Sequence, residues 1–173
     1  MEVQGKSPRD SEVVMTELIL PHHTNNLGTI FGGTVMSWVD IAAAICAQRH
    51  CNKQVVTASV DAMEFLAPVR LGWILTLKAS INYVWKTSCE VGIRVSAENP
   101  HSGELFHTAS AYVTMVCLDS NGRPTRMPPI IPETDDQRRR YEEAKARRTA
   151  RLELKKANAE RERREEAERG LSE

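Results

Sequence analysis

The sequence predicts an α+β domain in which one long, apolar helix is wrapped by a meander of antiparallel strands, with a charged helix following it. Three observations carry this reading. The run Gly33–Arg49 (GTVMSWVDIAAAICAQR) is long enough for a helix and apolar on nearly every side, so it cannot lie with one face in water and something must wrap it. Between Trp73 and Ala97 apolar and polar residues alternate with a period of two, the mark of strands with one face buried. Beyond Pro132 the chain turns abruptly to Arg, Glu, Lys and Ala.

The elements follow in order. Ser11–Leu20 (SEVVMTELIL) reads as a first strand closed by Pro21. The polar loop HHTNNLGTIFGG carries Gly28, Gly32 and Gly33, residues that permit unusual backbone angles. The helix comes next, then a strand over Gln54–Met63 and a turn over Ala67–Gly72. In Trp73–Trp85, Leu75, Leu77, Ala79, Ile81 and Tyr83 alternate with polar residues; after the short turn Lys86–Ser88, Cys89, Val91, Ile93, Val95 and Ala97 do the same. Asn99–Gly103 is a hairpin turn, and Glu104–Asp119 is the last strand. Short turns between long strands imply antiparallel pairing. The domain boundaries are thus residues 1–10 as an N-terminal tail, 11–132 as the globular domain and 133–173 as a charged helical extension.

The chain has 173 residues, 41% hydrophobic, with 23 Lys and Arg against 23 Asp and Glu. The balance hides an uneven layout, because 13 of the basic and 12 of the acidic residues fall in Glu133–Glu173. No broad basic field exists to hold nucleic acid. No apolar run approaches the ~20 residues of a membrane span. The start MEVQGKSPRD lacks the apolar centre of a signal peptide, so the expected address is the cytoplasm. In the extension, Thr134 is a candidate helix cap, and Glu143/Arg147, Glu160/Arg164 and Glu165/Arg169 are spaced for ion pairs. Apolar residues there are too few for a coiled-coil seam, so a solvated helix is expected, with an arm that braces an oligomer as the alternative.

Cys46, Cys51, Cys89 and Cys117 form no CxxC pair, and the five His complete no zinc-type spacing. The cysteines read as small buried hydrophobes. His22 and His23 read as loop residues.

Asp40 is the chemical anomaly, a carboxylate in mid-helix among Trp38, Val39, Ile41 and three alanines. Burial would raise its pKa and make it a better base near neutral pH; alternatively it bonds backbone groups at an interface. Gly32 and Gly33 open the same helix two turns earlier, where free N–H groups suit a developing oxyanion and no Cβ obstructs a carbonyl. Taken together, these features suggest attack on a carbonyl. Asn25 and Asn26 lie just upstream, placed to hold water or substrate, or simply to form the turn.

The run HHTNNLGTIFGGTVMSWVDIAAA, followed by VVTASVDAMEFLAPVRLGWIL, resembles the hotdog-fold acyl-CoA thioesterases, in particular the branch of bacterial YciA-like enzymes and vertebrate cytosolic acyl-CoA hydrolases. The pattern lies in Asn25, Gly28, Gly32, Gly33 and Asp40, and the likeness covers about Glu12–Leu118. The segment IPETDDQRRRYEEAKAR also resembles the vertebrate enzymes. The resemblance implies hydrolysis of fatty acyl-CoA to fatty acid and CoA at a dimer interface, the Asp of one chain working with the Asn of the other. It makes Asp40 nucleophile or general base, Asn25 an orienting group for water or thioester, and the N–H of Gly32 or Gly33 the oxyanion donor. No metal or cofactor is required, with coenzyme A entering as part of the substrate. The expected partners are acyl-CoA and further copies of the chain, a homodimer and by analogy a trimer of dimers, with neither nucleic acid nor membrane.

Coenzyme A brings phosphates. Lys86, Thr87 and Ser88 in a turn, with Arg70 and Arg94, are candidate contacts, the plain alternative being exposed residues with no specific task. Ser59 and Asp61 align with family positions along the CoA channel, Ser59 being favoured. Met36, Trp38, Met63, Phe65 and Trp85 are candidates for an acyl tunnel or for plain core. Two other functions compete: a hotdog dehydratase, which would need a His where the loop meets the helix, and a non-catalytic module binding acyl-CoA or a nucleotide.

Overall fold

The computed structural model describes residues 4–61 and 63–170, with side chains to 166. Five strands, β1 (Val13–Leu18), β2 (Gln54–Val60), β3 (Ile74–Val84), β4 (Ser88–Asn99) and β5 (Glu104–Leu118), form one antiparallel sheet in the order β1-β3-β4-β5-β2. Helix α1 (Gly32–Cys51) lies on its inner face, and α2 (Asp135–Gly170) follows the sheet. This is the expected α+β wrap, the hotdog arrangement. The first strand is shorter than expected, because Pro8–Ser11 forms a 3-10 turn capped by the Ser7 hydroxyl, which accepts from the Arg9 N–H.

The period of two sets the core. Leu75, Leu77, Ala79 and Ile81 of β3, Cys89 to Ala97 at alternate positions of β4, and Ala109, Ala111, Val113, Met115 and Cys117 of β5 are buried toward α1. From the helix, Val35, Val39, Ala42, Ala43, Cys46 and Ala47 form the matching stripe. Small Ala and Cys side chains let the helix axis settle close to the strands. All four thiols are free and buried, and burial pushes Cys46 and Cys117 up to about 12.

The helix is not wrapped on all sides. Its far face leaves Met36 and Ile41 nearly half exposed, and Phe31 before the helix and Val60 on the inner face of the edge strand β2 are exposed as well. Asp40 stands on this open side and is half-buried rather than sunk.

The extension is not simply solvated. Thr134 caps α2 as expected, accepting from the Gln137 N–H at 3.2 Å. Its first half then docks on the outer face of the sheet through Tyr141, fully buried Ala144, Arg147 and Arg151, a stripe at helical spacing. Arg147 donates to the fully buried Glu90 at 2.7 Å and its guanidinium lies 3.7 Å from the centre of the Tyr112 ring. Arg148 lies over Trp85 at 4.3 Å. Asn82 completes the Glu90 cage with a 2.9 Å bond. A Cβ at Gly92 would meet that Asn82 amide at 2.5 Å, which is why this strand position has no side chain. The Glu143/Arg147 pair forms at 3.8 Å, whereas Arg169 of the Glu165/Arg169 pair lies outside the described side chains.

Candidate active site

The site begins at the loop leading into α1. Asn25 folds it: its Oδ1 accepts from the Leu27 N–H at 2.9 Å and from the Thr29 N–H at 3.3 Å, and its Nδ2 donates to the Thr29 hydroxyl at 3.0 Å. One Nδ2 hydrogen is left over. Of the loop glycines only Gly28 has a positive φ, 71°. Gly32 and Gly33 have no positive φ, so no turn requires them. Phe31 is the N-cap residue and offers no side-chain cap; Thr34 and Val35 donate to the Phe31 carbonyl, and among the described residues the N–H groups of Gly32 and Gly33 have no acceptor. Nothing stands within 4 Å of where a Gly33 Cβ would be, while the Phe65 ring comes to 3.3 Å of the corresponding point at Gly32. The first N–H groups of the helix thus have no acceptor among the described residues and carry the partial positive charge of the helix start.

An apolar cleft of about 360 Å³ adjoins this point, lined by Ile30, Gly32, Phe65, Leu66, Pro68 and Val69 among others. Phe65 and Leu66 belong to the segment after β2, tied down where the Leu66 N–H donates to the Thr108 carbonyl at 2.8 Å. Of the tunnel candidates, Phe65 lines this cleft, whereas Trp38 packs edge-on to His23, at 5.0 Å between ring centres. His23 itself accepts from the Leu20 N–H, a loop role as expected.

Two turns along α1, Asp40 Oδ1 accepts a 2.5 Å hydrogen bond from the Thr57 hydroxyl. Thr57 was missed by sequence reasoning. The reason is a β-bulge: the β2–β5 register shifts between Thr57 and Ser59, so Thr57 pairs with Met115 on the inner face and Ser59 with Thr114 on the outer. Ser59 is thus turned from the side that holds Asp40. Asp61 at the end of β2 is paired with Arg151 of α2 at 2.9 Å.

The other nominated residues are dispersed. Arg70 pairs with Thr29 of the site loop through a β-bridge and is exposed. In the β3–β4 turn the Lys86 and Thr87 carbonyls accept from Met127 and Cys117, and Ser88 is buried. Arg94 is exposed on the outer sheet face, directly across from Lys78, in a cleft of about 350 Å³ that also meets Arg139 and Arg140. The sheet separates it from Asp40.

Residues 27–104 match the model of the thioesterase superfamily. The chain is 40% identical over 129 residues to the uncharacterized acyl-CoA thioester hydrolase YkhA of Bacillus subtilis, covering 75% of each. It is 34% identical to the human cytosolic acyl coenzyme A thioester hydrolase over 79% of this chain but only 37% of that longer one. A solved apo-hexameric acyl-CoA thioesterase superposes with a TM-score of 0.85 at 38% identity, over 88% of this chain and 97% of that one. The acyl-CoA hydrolase of Staphylococcus aureus, solved with butyryl coenzyme A, coenzyme A and coenzyme A disulfide, gives 0.81 at 35% identity, over 90% and 96%. That enzyme has also been solved as variants in which an Asn, an Asp fifteen positions later and a Thr seventeen positions after that are each exchanged for Ala. By sequence and by fold, the chain belongs to the thioesterase superfamily.

Proposed function

We propose that this protein is an acyl-CoA thioesterase, hydrolysing acyl-CoA to free acid and CoA at sites shared between two copies of the chain. The observation that carries the reading is the pair of acceptor-free N–H groups at Gly32 and Gly33, on the same helix as a carboxylate fixed by Thr57. Asn25, Asp40 and Thr57 stand at the same spacing as the three residues exchanged in the Staphylococcus aureus enzyme.

The chemistry uses what each group can do. The thioester carbonyl oxygen accepts from the Gly32 or Gly33 N–H, where negative charge develops as the carbonyl carbon becomes tetrahedral. Asp40 takes a proton from water as the water oxygen attacks that carbon, or attacks it directly through the oxygen that Thr57 leaves free, in which case a water then cleaves the acyl–Asp40 anhydride, releasing the free acid and restoring the carboxylate. The C–S bond breaks and the thiolate of CoA departs, a good leaving group that needs no metal. Asn25 offers its spare Nδ2 hydrogen to orient the water or the thioester. The cleft beside Phe65 and Leu66 takes an apolar portion of the substrate.

The helix itself argues for two chains. Asp40 follows Gly33 by seven residues, about 10 Å along the axis at the helical rise, and its side chain spans only a few Å of that. One carbonyl cannot meet both within hydrogen-bond reach. In this proposal each protomer carries two half-sites, Asn25 with Gly32 and Gly33 at the helix start and Asp40 with Thr57 two turns on, and the spacing supports that division. A two-fold dimer joins each half to its counterpart. The open edge of β2 and the exposed Met36, Ile41 and Val60 supply the surface for that pairing. The proposal extends to three such dimers, a copy number supported by the hexameric state of the solved relative. A cytoplasmic address fits a CoA substrate and the cytosolic mammalian relative.

The test is purified full-length chain with butyryl-CoA and palmitoyl-CoA and a thiol reagent to report free CoA. Hydrolysis that vanishes in Asp40→Asn, with an unchanged melting curve, supports the reading. Undiminished hydrolysis in that variant overturns the mechanism, and tight CoA binding with no hydrolysis by the wild type points to a binding module instead.

A further inference from the structure

We propose that Arg151 of α2 is a positioning residue for the active site, acting through its ion pair with Asp61; the inference rests on the thioesterase reading above. Within one protomer β2 ends the sheet and pairs with β5 alone, its other edge being the one given above to the partner copy. It carries Thr57, and directly after Thr57 its ladder is broken by the bulge. Beyond the bulge Ser59 and Val60 pair with Thr114 and Val113, and the last tie is the Asp61 N–H donating to the Tyr112 carbonyl at 2.9 Å. So short a ladder beyond the bulge holds the register to β5 weakly, and a slip of one residue moves every side chain to the opposite face. Thr57 would then leave Asp40.

Arg151 closes this weak end. Its Nη1 donates to both carboxylate oxygens of Asp61, at 2.9 and 3.0 Å, in a pair that is about three-quarters buried. One helical turn earlier Arg147 is locked onto buried Glu90 and over the ring of Tyr112, the residue whose carbonyl holds Asp61. α2 thus grips β5 and the end of β2 at one point. Asp61 also begins the segment that reaches Phe65, whose ring lies against Gly32. A single ion pair therefore anchors the strand serving Asp40 on one side and the loop covering the helix start on the other. The charged extension works as a strut for both half-sites.

The experiment compares full-length wild type with Arg151→Ala, Arg151→Lys, Asp61→Asn and the exchanged pair Asp61→Arg/Arg151→Asp. Kinetics are read with butyryl-CoA, and backbone hydrogen exchange is read over β2. Arg151→Ala and Asp61→Asn are expected to lower kcat by about tenfold or more while KM moves little, since misplacing a catalytic group by a fraction of an ångström has effects of that size. Exchange should rise in Thr57–Asp61 and stay unchanged in β3 and β4. Arg151→Lys and the exchanged pair should recover part of both. Unchanged exchange over β2 in Arg151→Ala, or a kcat within about twofold of wild type, overturns the proposal; so does a loss that merely follows a lower melting temperature. If the wild type shows no hydrolysis the thioesterase reading fails, and the exchange measurement still decides whether Arg151 holds β2.

Discussion

The Thr57 hydroxyl donates to Asp40 Oδ1 at 2.5 Å, bridging the edge strand and the central helix at the one acidic position of that helix. The bond sets the direction of the carboxylate and leaves its second oxygen for a substrate or water. Thr57→Val keeps the shape and removes the donor. It is expected to reduce kcat by about 10- to 100-fold, whereas Asp40→Asn reduces it by about a thousandfold or more, the usual scale for a group that moves a proton in the transition state. Steady-state kinetics on both variants check this, and equal, small effects would contradict it.

The proposed sharing of each site between two chains leads to a complementation experiment. Asn25→Ala and Asp40→Asn should each be inactive alone. Unfolded together in equal amounts and refolded, they form mixed dimers in which one of the two sites contains both native residues. Random pairing makes half the dimers mixed, so about a quarter of the wild-type rate should return. No recovery, with mixed dimers shown by mass spectrometry, would place the whole site within one chain.

The Glu90–Arg147 pair predicts a stability effect far from the chemistry. Glu90 is fully buried and its carboxylate is held by Arg147 and Asn82. Arg147→Met leaves that charge without its counter-ion and should destabilise the protein by about 3 kcal/mol. Adding Glu90→Gln to the same chain should restore most of the loss, because a neutral amide still meets Asn82. Urea unfolding of the single and double variants provides the measurement.

Acid sensitivity should come in part from His50. Its Nε2 lies 2.8 Å from the Pro128 carbonyl, and its Nδ1 has no partner among the described residues. Desolvation pulls its pKa below the ordinary 6.5, and the nearby Lys6 ammonium, which donates to the His50 carbonyl, adds to the effect. The unfolded chain therefore binds a proton more readily than the folded one. The stabilising contribution of neutral His50 is complete above about pH 6.5 and is lost as pH falls below that. His50→Gln can still donate to Pro128 and should show a flatter melting temperature between pH 7.5 and 5.5 than the wild type; parallel curves would exclude His50 as the cause.

Local patterns in the sequence were enough for most of the fold. The alternation in β3 and β4 and the apolar length of α1 dictate which faces meet, and the observed elements end within a few residues of the expected ones. Asp40 and the glycine pair stood out because a carboxylate in an apolar helix and glycines at a helix start are chemically conspicuous, whereas Asn25 was nominated through the family resemblance, a loop Asn being by itself an ordinary turn former. Thr57 was not, because a Thr in a strand looks ordinary and only the bulge brings it, rather than Ser59, to the inner face. The docking of α2 was hidden for a related reason. Arg147, Arg148 and Arg151 read as solvated charge, yet each has its receptor on the sheet, in Glu90, Trp85 and Asp61, which lie far away in the sequence. Arginine hides in this way because its flat cation both stacks on rings and forks onto carboxylates.

The two-turn gap between Gly33 and Asp40 also bears on how such a chain can evolve. In an assembly of identical copies every polypeptide must encode both reagents, and neither can drift. Were the gene to double in tandem, each repeat could discard one reagent and the fused product would still keep a working centre, having traded a spare for the freedom to change the other.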